Sequence, residues 1–280
     1  MNGGIFSGLE SFGLEGLSDM KLYEEKKKAE EPKAEPKKVV TVVEETDFLL
    51  EKTIECPVCS TKFKALAVKG NKCRLIGTDR DLRPKYDQID ILKYDAVLCT
   101  MCGYAGLTRY FANVMPHQKK AIKEKVCPAF KTRFDNPKVY DYDEALGRYK
   151  MALVNAVVKG AKPSEKAYIC LKSAWVIRGK LETMDPSAAD YESTKALENE
   201  YISNAYEGFV AAVQTETFPM CGMDESTMNY LLGVLAYNTG HYDVAGKEIA
   251  KVLQSAAASN RIKDKARELK TDLLKVLKNK

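Results

Sequence analysis

Apolar and polar positions follow two different rhythms along this chain. Up to about residue 112 the apolar residues come in short runs and alternations. Val39–Val43, Phe48–Ile54, Lys62–Val68, Cys73–Ile76 and Tyr94–Leu98 all read as β candidates, and Lys62–Val68 opens with alternating lysines and apolar residues. Asp79–Asp90, with Pro84 among charged residues, reads as a loop or excursion. From about residue 113 the spacing turns helical. Ala167, Cys170, Leu171, Ala174, Trp175, Arg178 and Leu181 share a face, with Ser164 as a candidate N-cap after Pro163. Tyr201, Ala205, Phe209 and Val213 form a second face. Arg261–Leu277 gives a final amphipathic helix through Ile262, Ala266, Leu269, Leu273, Leu274 and Leu277. The predicted fold class is α+β, a small β-rich region followed by an all-α region.

One helical segment is more specific. Leu232 and Gly233 are followed by Ala236, Gly240, Tyr242, Ala245 and Ile249. This order resembles the tetratricopeptide helix–turn–helix, in which small residues let two antiparallel helices approach. Tyr142, Ala145, Tyr149 and Ala152 repeat part of it, so the helical region is expected to be a short stack of helix pairs. An ordinary bundle with incidental small residues is the plainer alternative.

The N-terminus has a different character. Residues 1–20 place Ile5, Phe6, Leu9, Phe12, Leu14 and Leu17 among glycines and acidic residues. The following stretch to Lys38 holds charges, alanines and two prolines but no larger aliphatic run, so it cannot bury enough apolar surface to offset ordering. The expected domains are therefore a flexible N-terminal peptide and charged tether over 1–38, a β-rich domain with an insert over 39–112, and a helical domain over 113–280. An apolar peptide on such a tether is suited to docking on a partner or on its own chain; a tail without specific contacts is the bland alternative.

Cysteine spacing changes the picture most. Cys56-Pro57-Val58-Cys59 and Cys99-Thr100-Met101-Cys102 are two Cys-x-x-Cys knuckles with 39 residues between them. Each short turn aims two sulfurs at one point, and two such pairs supply the four thiolates of a tetrahedral Zn²⁺ site. Cys56, Cys59, Cys99 and Cys102 are thus the expected ligands of one structural zinc per chain, in a zinc ribbon. The separation is long for a simple ribbon, so an inserted hairpin or extra strand is expected. Gly103 frees the backbone to turn tightly after the second knuckle. A pair of redox dithiols and an iron–sulfur centre are the competing readings. A closed set of four cysteines leaves no open metal position for water or substrate, which points to a fold-forming role.

The other four cysteines, Cys73, Cys127, Cys170 and Cys221, have no spaced partner. Cys170 lies on an apolar helix face and reads as core, and only Cys73 is near enough in sequence to join the ribbon. Scattered thiols outside the knuckles favour a reducing, cytoplasmic compartment over a disulfide framework. No apolar run is long enough for a transmembrane helix, and the first twenty residues lack the pattern of a secretory signal.

Charge adds a second functional reading. Residues 56–112 carry a net excess of cations, whereas residues 1–55 carry a net excess of carboxylates. Arg74, Arg80, Arg83, Lys85 and Lys93 could meet phosphates, and Tyr86 or Tyr94 could stack on a base. Five aspartates in the same stretch (Asp79, Asp81, Asp87, Asp90 and Asp95) weaken that case and are expected to serve salt bridges and turn caps. The same aspartates are the weaker candidates for a paired-carboxylate enzyme site. His117 is expected at the surface and His241 in a turn. No phosphate-binding glycine loop, metalloprotease helix or nucleophile elbow is present.

Together, Cys56-Pro57-Val58-Cys59, Phe63, Asp79-Arg80-Asp81, Pro84-x-Tyr86 and the string from Tyr94-Asp95 through Cys99-x-x-Cys102-Gly103-Tyr104-Ala105 resemble the bacterial domain-of-unknown-function family 2225. The resemblance runs from about residue 50 to the C-terminus, with its distinctive motifs ending near residue 111. It implies a bacterial protein with zinc at the four matching cysteines and a helical, repeat-like remainder, and it transfers no catalytic residue. The favoured expectation is a non-enzymatic scaffold or adaptor that binds another protein through its helical domain. The alternative is a nucleic-acid-binding protein that uses the basic ribbon.

Overall fold

The computed structural model describes residues 44–131 and 137–278. The N-terminal peptide, the tether and the expected strand Val39–Val43 lie outside the described residues.

Three antiparallel hairpins lead the described chain. β1 (Leu49–Glu55) pairs with β2 (Lys62–Val68) in a register running from Leu49 opposite Val68 to Glu55 opposite Lys62. β3 (Leu75–Thr78) pairs with β4 (Pro84–Tyr86), with an irregularity between Leu75 and Gly77. β5 (Ala96–Leu98) pairs with β6 (Ala105–Leu107). The three form separate two-stranded sheets. β3 and β4 are the inserted hairpin that the long knuckle spacing demands. β4 also corrects the reading of Asp79–Asp90 as loop alone. Pro84 has no amide hydrogen to give, which a strand tolerates at its first residue.

Eight helices follow among the described residues: α1 (Thr108–Phe111), α2 (Pro116–Lys125), α3 (Tyr142–Val158), α4 (Pro163–Thr183), α5 (Tyr191–Thr215), α6 (Glu225–Asn238), α7 (Tyr242–Gln254) and α8 (Asn260–Lys278). The N-caps of α3 and α6 follow the usual chemistry: Asp141 accepts from the Glu144 amide at 2.7 Å, and Asp224 accepts from the Thr227 amide at 2.7 Å. Ser164 is not a cap. Pro163 already occupies the first helical turn of α4, where its missing amide hydrogen costs nothing. The Ser164 amide and hydroxyl instead reach the Glu216 carboxylate at 2.8 and 2.6 Å, so the end of α5 supplies the negative charge at the start of α4.

α4 is buried on most of its surface, between α3 and α5. α6 and α7 pack as a tight helix pair. Their turn needs Gly240, whose φ of +79° ends α6 while the His241 amide bonds back to Ala236 O at 2.8 Å. The partial copy of that motif opens α3, which packs against β5, β6 and α4. α8 buries Ile262, Ala266, Leu269 and Leu273, but Leu274 and Leu277, expected on the same face, stand exposed.

The placement of β5 and β6 fixes the site. Ala96, Leu98, Ala105 and Leu107 belong to the large core of α3–α8. Val97, between two of them, points the other way, into a second core with Cys56, Cys99, Cys102, Tyr104, Phe111 and Ile122. This is the two-residue alternation of a strand buried on both faces. A third cluster holds Phe48, Leu49, Ile89, Tyr94 and Tyr140.

Candidate metal centre

Each Cys-x-x-Cys forms the tip of a hairpin, and the two tips have the same backbone. In the first, the Ser60 amide donates to Cys56 O at 2.9 Å and the Cys56 amide to Thr61 O at 3.0 Å. In the second, the Gly103 amide donates to Cys99 O at 2.9 Å and the Cys99 amide to Tyr104 O at 2.8 Å. The residue after each second cysteine takes a left-handed turn, with φ of +60° at Ser60 and +74° at Gly103. This turn brings both sulfurs of a knuckle to one side.

The four sulfurs converge. Cys56 Sγ and Cys102 Sγ lie 3.7 Å apart, as do Cys59 Sγ and Cys99 Sγ, and all four lie within 4.8 Å of one another. A tetrahedral ion bonded to sulfur at about 2.3 Å would set its ligands ~3.8 Å apart. The short contacts cross from one knuckle to the other, so a single ion would tie β1–β2 to β5–β6. The donor set fits Zn²⁺, which Cys56, Cys59, Cys99 and Cys102 would hold.

The close packing of the four thiols sets their titration apart from one another. Contacts with the Cys102 and Cys56 thiols pull Cys99 down to about 2, making it the first thiolate. At Cys56 the contact with Cys102 lowers the thiol, but the contact with Cys99 and burial outweigh it and push it up to about 12. The contacts with Cys56 and Cys99, followed by burial, raise Cys102 strongly. A divalent ion would let all four ionise and would release their protons, so metal affinity should fall as pH falls.

The second knuckle is embedded in the fold. Asn155, fully buried on α3, donates from Nδ2 to Gly103 O at 2.9 Å and to Met151 O at 2.9 Å. The Tyr104 hydroxyl donates to Phe111 O at 2.9 Å, and the two rings lie 4.8 Å apart. Phe130 covers Gly103 so closely that a Cβ there would lie 2.5 Å from its ring. The first knuckle has a lighter cover, and Ser60 is exposed.

The remaining cysteines separate. Cys170 is buried in the helical core, and burial pushes its thiol up to about 11. The Cys73 thiol meets Lys69 O at 3.5 Å and packs against the third cluster, away from the knuckles. The Cys221 thiol meets Ser164 O at 3.3 Å. Cys127 is different, and its distance in sequence hides the fact. It packs half-buried against the knuckle cluster. Burial pushes that thiol up, and the Cys102 contact offsets part of the rise.

The aspartate-rich insert resolves into structural contacts. Asp81, 2% exposed, accepts from Arg178 and from Trp175 Nε1 at 2.9 Å. Arg178 also bonds the buried Glu198 at 2.7 Å and Asp79 at 3.2 Å. Arg83 forks onto Glu182 at 2.9 and 3.0 Å. Asp90 caps the Leu92 amide at 3.0 Å. Asp95 sits apart and pairs with Lys172 beside an apolar cleft of about 560 Å³ between β1–β2 and α4. The carboxylates therefore do not share one pocket. Lys93 pairs with Glu45 at 2.7 Å, and Tyr94 stacks on Tyr140 at 5.2 Å. Arg74 and His117 are exposed, while His241 stands in the α6–α7 turn, stacked on Tyr206 at 4.7 Å.

A family model described as "Uncharacterized protein conserved in bacteria (DUF2225)" matches residues 49–273. The chain belongs to this bacterial family. No curated protein and no solved structure matches the chain. The DUF2225 match spans all three hairpins and every helix from α1 to most of α8, so both knuckles and the helical core that holds the second one lie within it. Among the described residues, no helix is long and apolar enough to cross a membrane.

Proposed function

We propose that this DUF2225 protein is a zinc-stabilised, non-enzymatic scaffold that binds another protein through its tetratricopeptide-like helical region, in the cytoplasm. The observation that carries the reading is the closure of the four-sulfur set. Four cysteines whose sulfurs lie within 4.8 Å of one another would use every ligand position of a Zn²⁺, so the ion would brace two hairpins rather than activate a water. The buried carboxylates are likewise held by Arg178 and Trp175 in a brace between the insert and α4.

Helices offer the surface. Val154 and Val157 on α3, and Leu274 and Leu277 on α8, are large apolar side chains about half exposed. Exposed apolar positions on packed helices suit a peptide or helix partner. The nucleic-acid alternative finds less support, because Arg83 and Lys93 are buried in ion pairs and Tyr94 is buried under Tyr140.

The test uses the full chain, because β5 and β6 share the helical core. Native purification should recover one protein in stoichiometric amount. Its capture should be lost in Val154→Asp/Val157→Asp or in Leu274→Asp/Leu277→Asp. Capture unchanged by both pairs would contradict docking on these helices, and recovery of nucleic acid instead would favour the alternative.

A further inference from the structure

The cleft between β1–β2 and α4 is apolar along its walls and charged at one point. Its volume of about 560 Å³ falls within the roughly 300–1,000 Å³ of small-molecule sites. On the hairpin side Ile54, Leu66 and Val68 stand half-buried. On the helix side Tyr168, Lys172 and Trp175 recur at helical spacing and share one face of α4. Trp175 is the single tryptophan of the chain.

The charged point is Lys172, 9% exposed and paired with Asp95. Thr108 fixes Asp95 in place, its amide and hydroxyl donating to Asp95 O at 2.8 and 3.0 Å. The Lys172 ammonium also lies 4.8 Å from the centre of the Tyr168 ring. Burial alone would lower the Lys172 pKa, but Asp95 and Tyr168 outweigh it and raise it, so the ammonium stays charged. An ammonium has three N–H donors. Asp95 and the Tyr168 face can engage two of them, which leaves one for a bound acceptor. Lys52 lines the same cleft at its exposed edge. Two ammonium groups thus stand against one carboxylate in the lining, an excess of one positive charge.

We propose that this cleft binds an aliphatic monocarboxylic acid, with the hydrocarbon chain between β1–β2 and α4 and the carboxylate on Lys172. This goes beyond the scaffold reading and stands apart from it. One carboxylate balances the excess charge and accepts the remaining Lys172 donor. A neutral alcohol leaves the excess unbalanced, and an amine adds to it. Asp95 holds Lys172 charged and in place before the ligand arrives. Each further methylene buried between the walls strengthens binding, so affinity should rise with chain length until the cleft is full.

The experiment titrates the full chain with a decanoic acid brominated on its chain and follows Trp175 fluorescence, which bromine quenches on close approach. Unlabelled decanoate, decanol and decylamine then compete, all below the concentrations at which they aggregate. The expected result is saturable quenching, displacement by decanoate, displacement by decanol about tenfold weaker and displacement by decylamine weaker still. Lys172→Met/Asp95→Asn removes both charges together, so that neither is left buried alone, and should abolish the preference for acid over alcohol. Absence of quenching in wild type would overturn the proposal. So would equal displacement by acid, alcohol and amine, which marks unspecific partitioning, or a preference for acid that survives in the variant. If the variant does not fold, the acid-against-alcohol comparison on wild type decides by itself.

Discussion

The two knuckles share a backbone and differ in what surrounds it. Both close a hairpin through a six-residue turn with the same two hydrogen bonds, and both place the residue after the second cysteine in a left-handed conformation. The first knuckle ends the largely exposed β1–β2 hairpin, and there a serine is tolerated at that position. The second ends β5–β6, which is buried on both faces; there Phe130 and Asn155 close on the turn and the residue is glycine. Local geometry sets which sulfurs can meet, and the surrounding packing decides which turn can stand without metal. The second knuckle is held by the helical core. The first reaches it through Val58, Phe63 and the sulfur contacts.

Metal removal should expose this asymmetry most. Chelation, or Cys99→Ser, should remove most of a binding free energy of about 10–16 kcal/mol. Hydrogen exchange should then show β1–β2 amides losing protection well before those of α4 and α6. Uniform loss across the chain would mean that the helical core depends on the metal as much as the first hairpin does.

A paired substitution sharpens the contrast. Gly103→Ala forces a side chain into a left-handed turn and into Phe130, for an expected loss of about 2–5 kcal/mol. Ser60→Ala keeps its turn at an exposed site and should stay within about 0.5 kcal/mol. Urea unfolding of the metal-loaded proteins compares them, and equal losses would erase the distinction.

How much of this could be read from residues alone follows the range of the interactions. The knuckles are local, so spacing was enough to point to the four sulfurs that converge and to foresee the tight turn at Gly103. Lys62–Val68 matched β2 because its pairing partner is one short turn away. Cys127 carried no signal, since 24 intervening residues separate it from Cys102 and no spacing rule links them. The brace around Arg178 was half visible: helical periodicity put that arginine on a face with Trp175 and Leu171, where a cation must find buried partners. The identity of Asp81, 97 residues earlier, depends on the fold. β4 was hidden because Pro84 and its charged neighbours have the composition of a loop.

Smaller effects complete the series. Asn155→Ala leaves Gly103 O without its helix-borne donor inside the core, and should cost about 1–3 kcal/mol by the same unfolding assay. Lys64→Ala removes the exposed pair with Glu51 on the first hairpin, and thermal unfolding should show no measurable change.

The central claim is that Cys56, Cys59, Cys99 and Cys102 close around one metal ion. X-ray absorption at the zinc edge of the purified chain, with metal content determined on the same sample, measures this directly. The account predicts one zinc per chain with four sulfur scatterers at about 2.3 Å and no lighter ligand. Fewer than four sulfurs, an oxygen or nitrogen in the coordination sphere, or no bound zinc would contradict it.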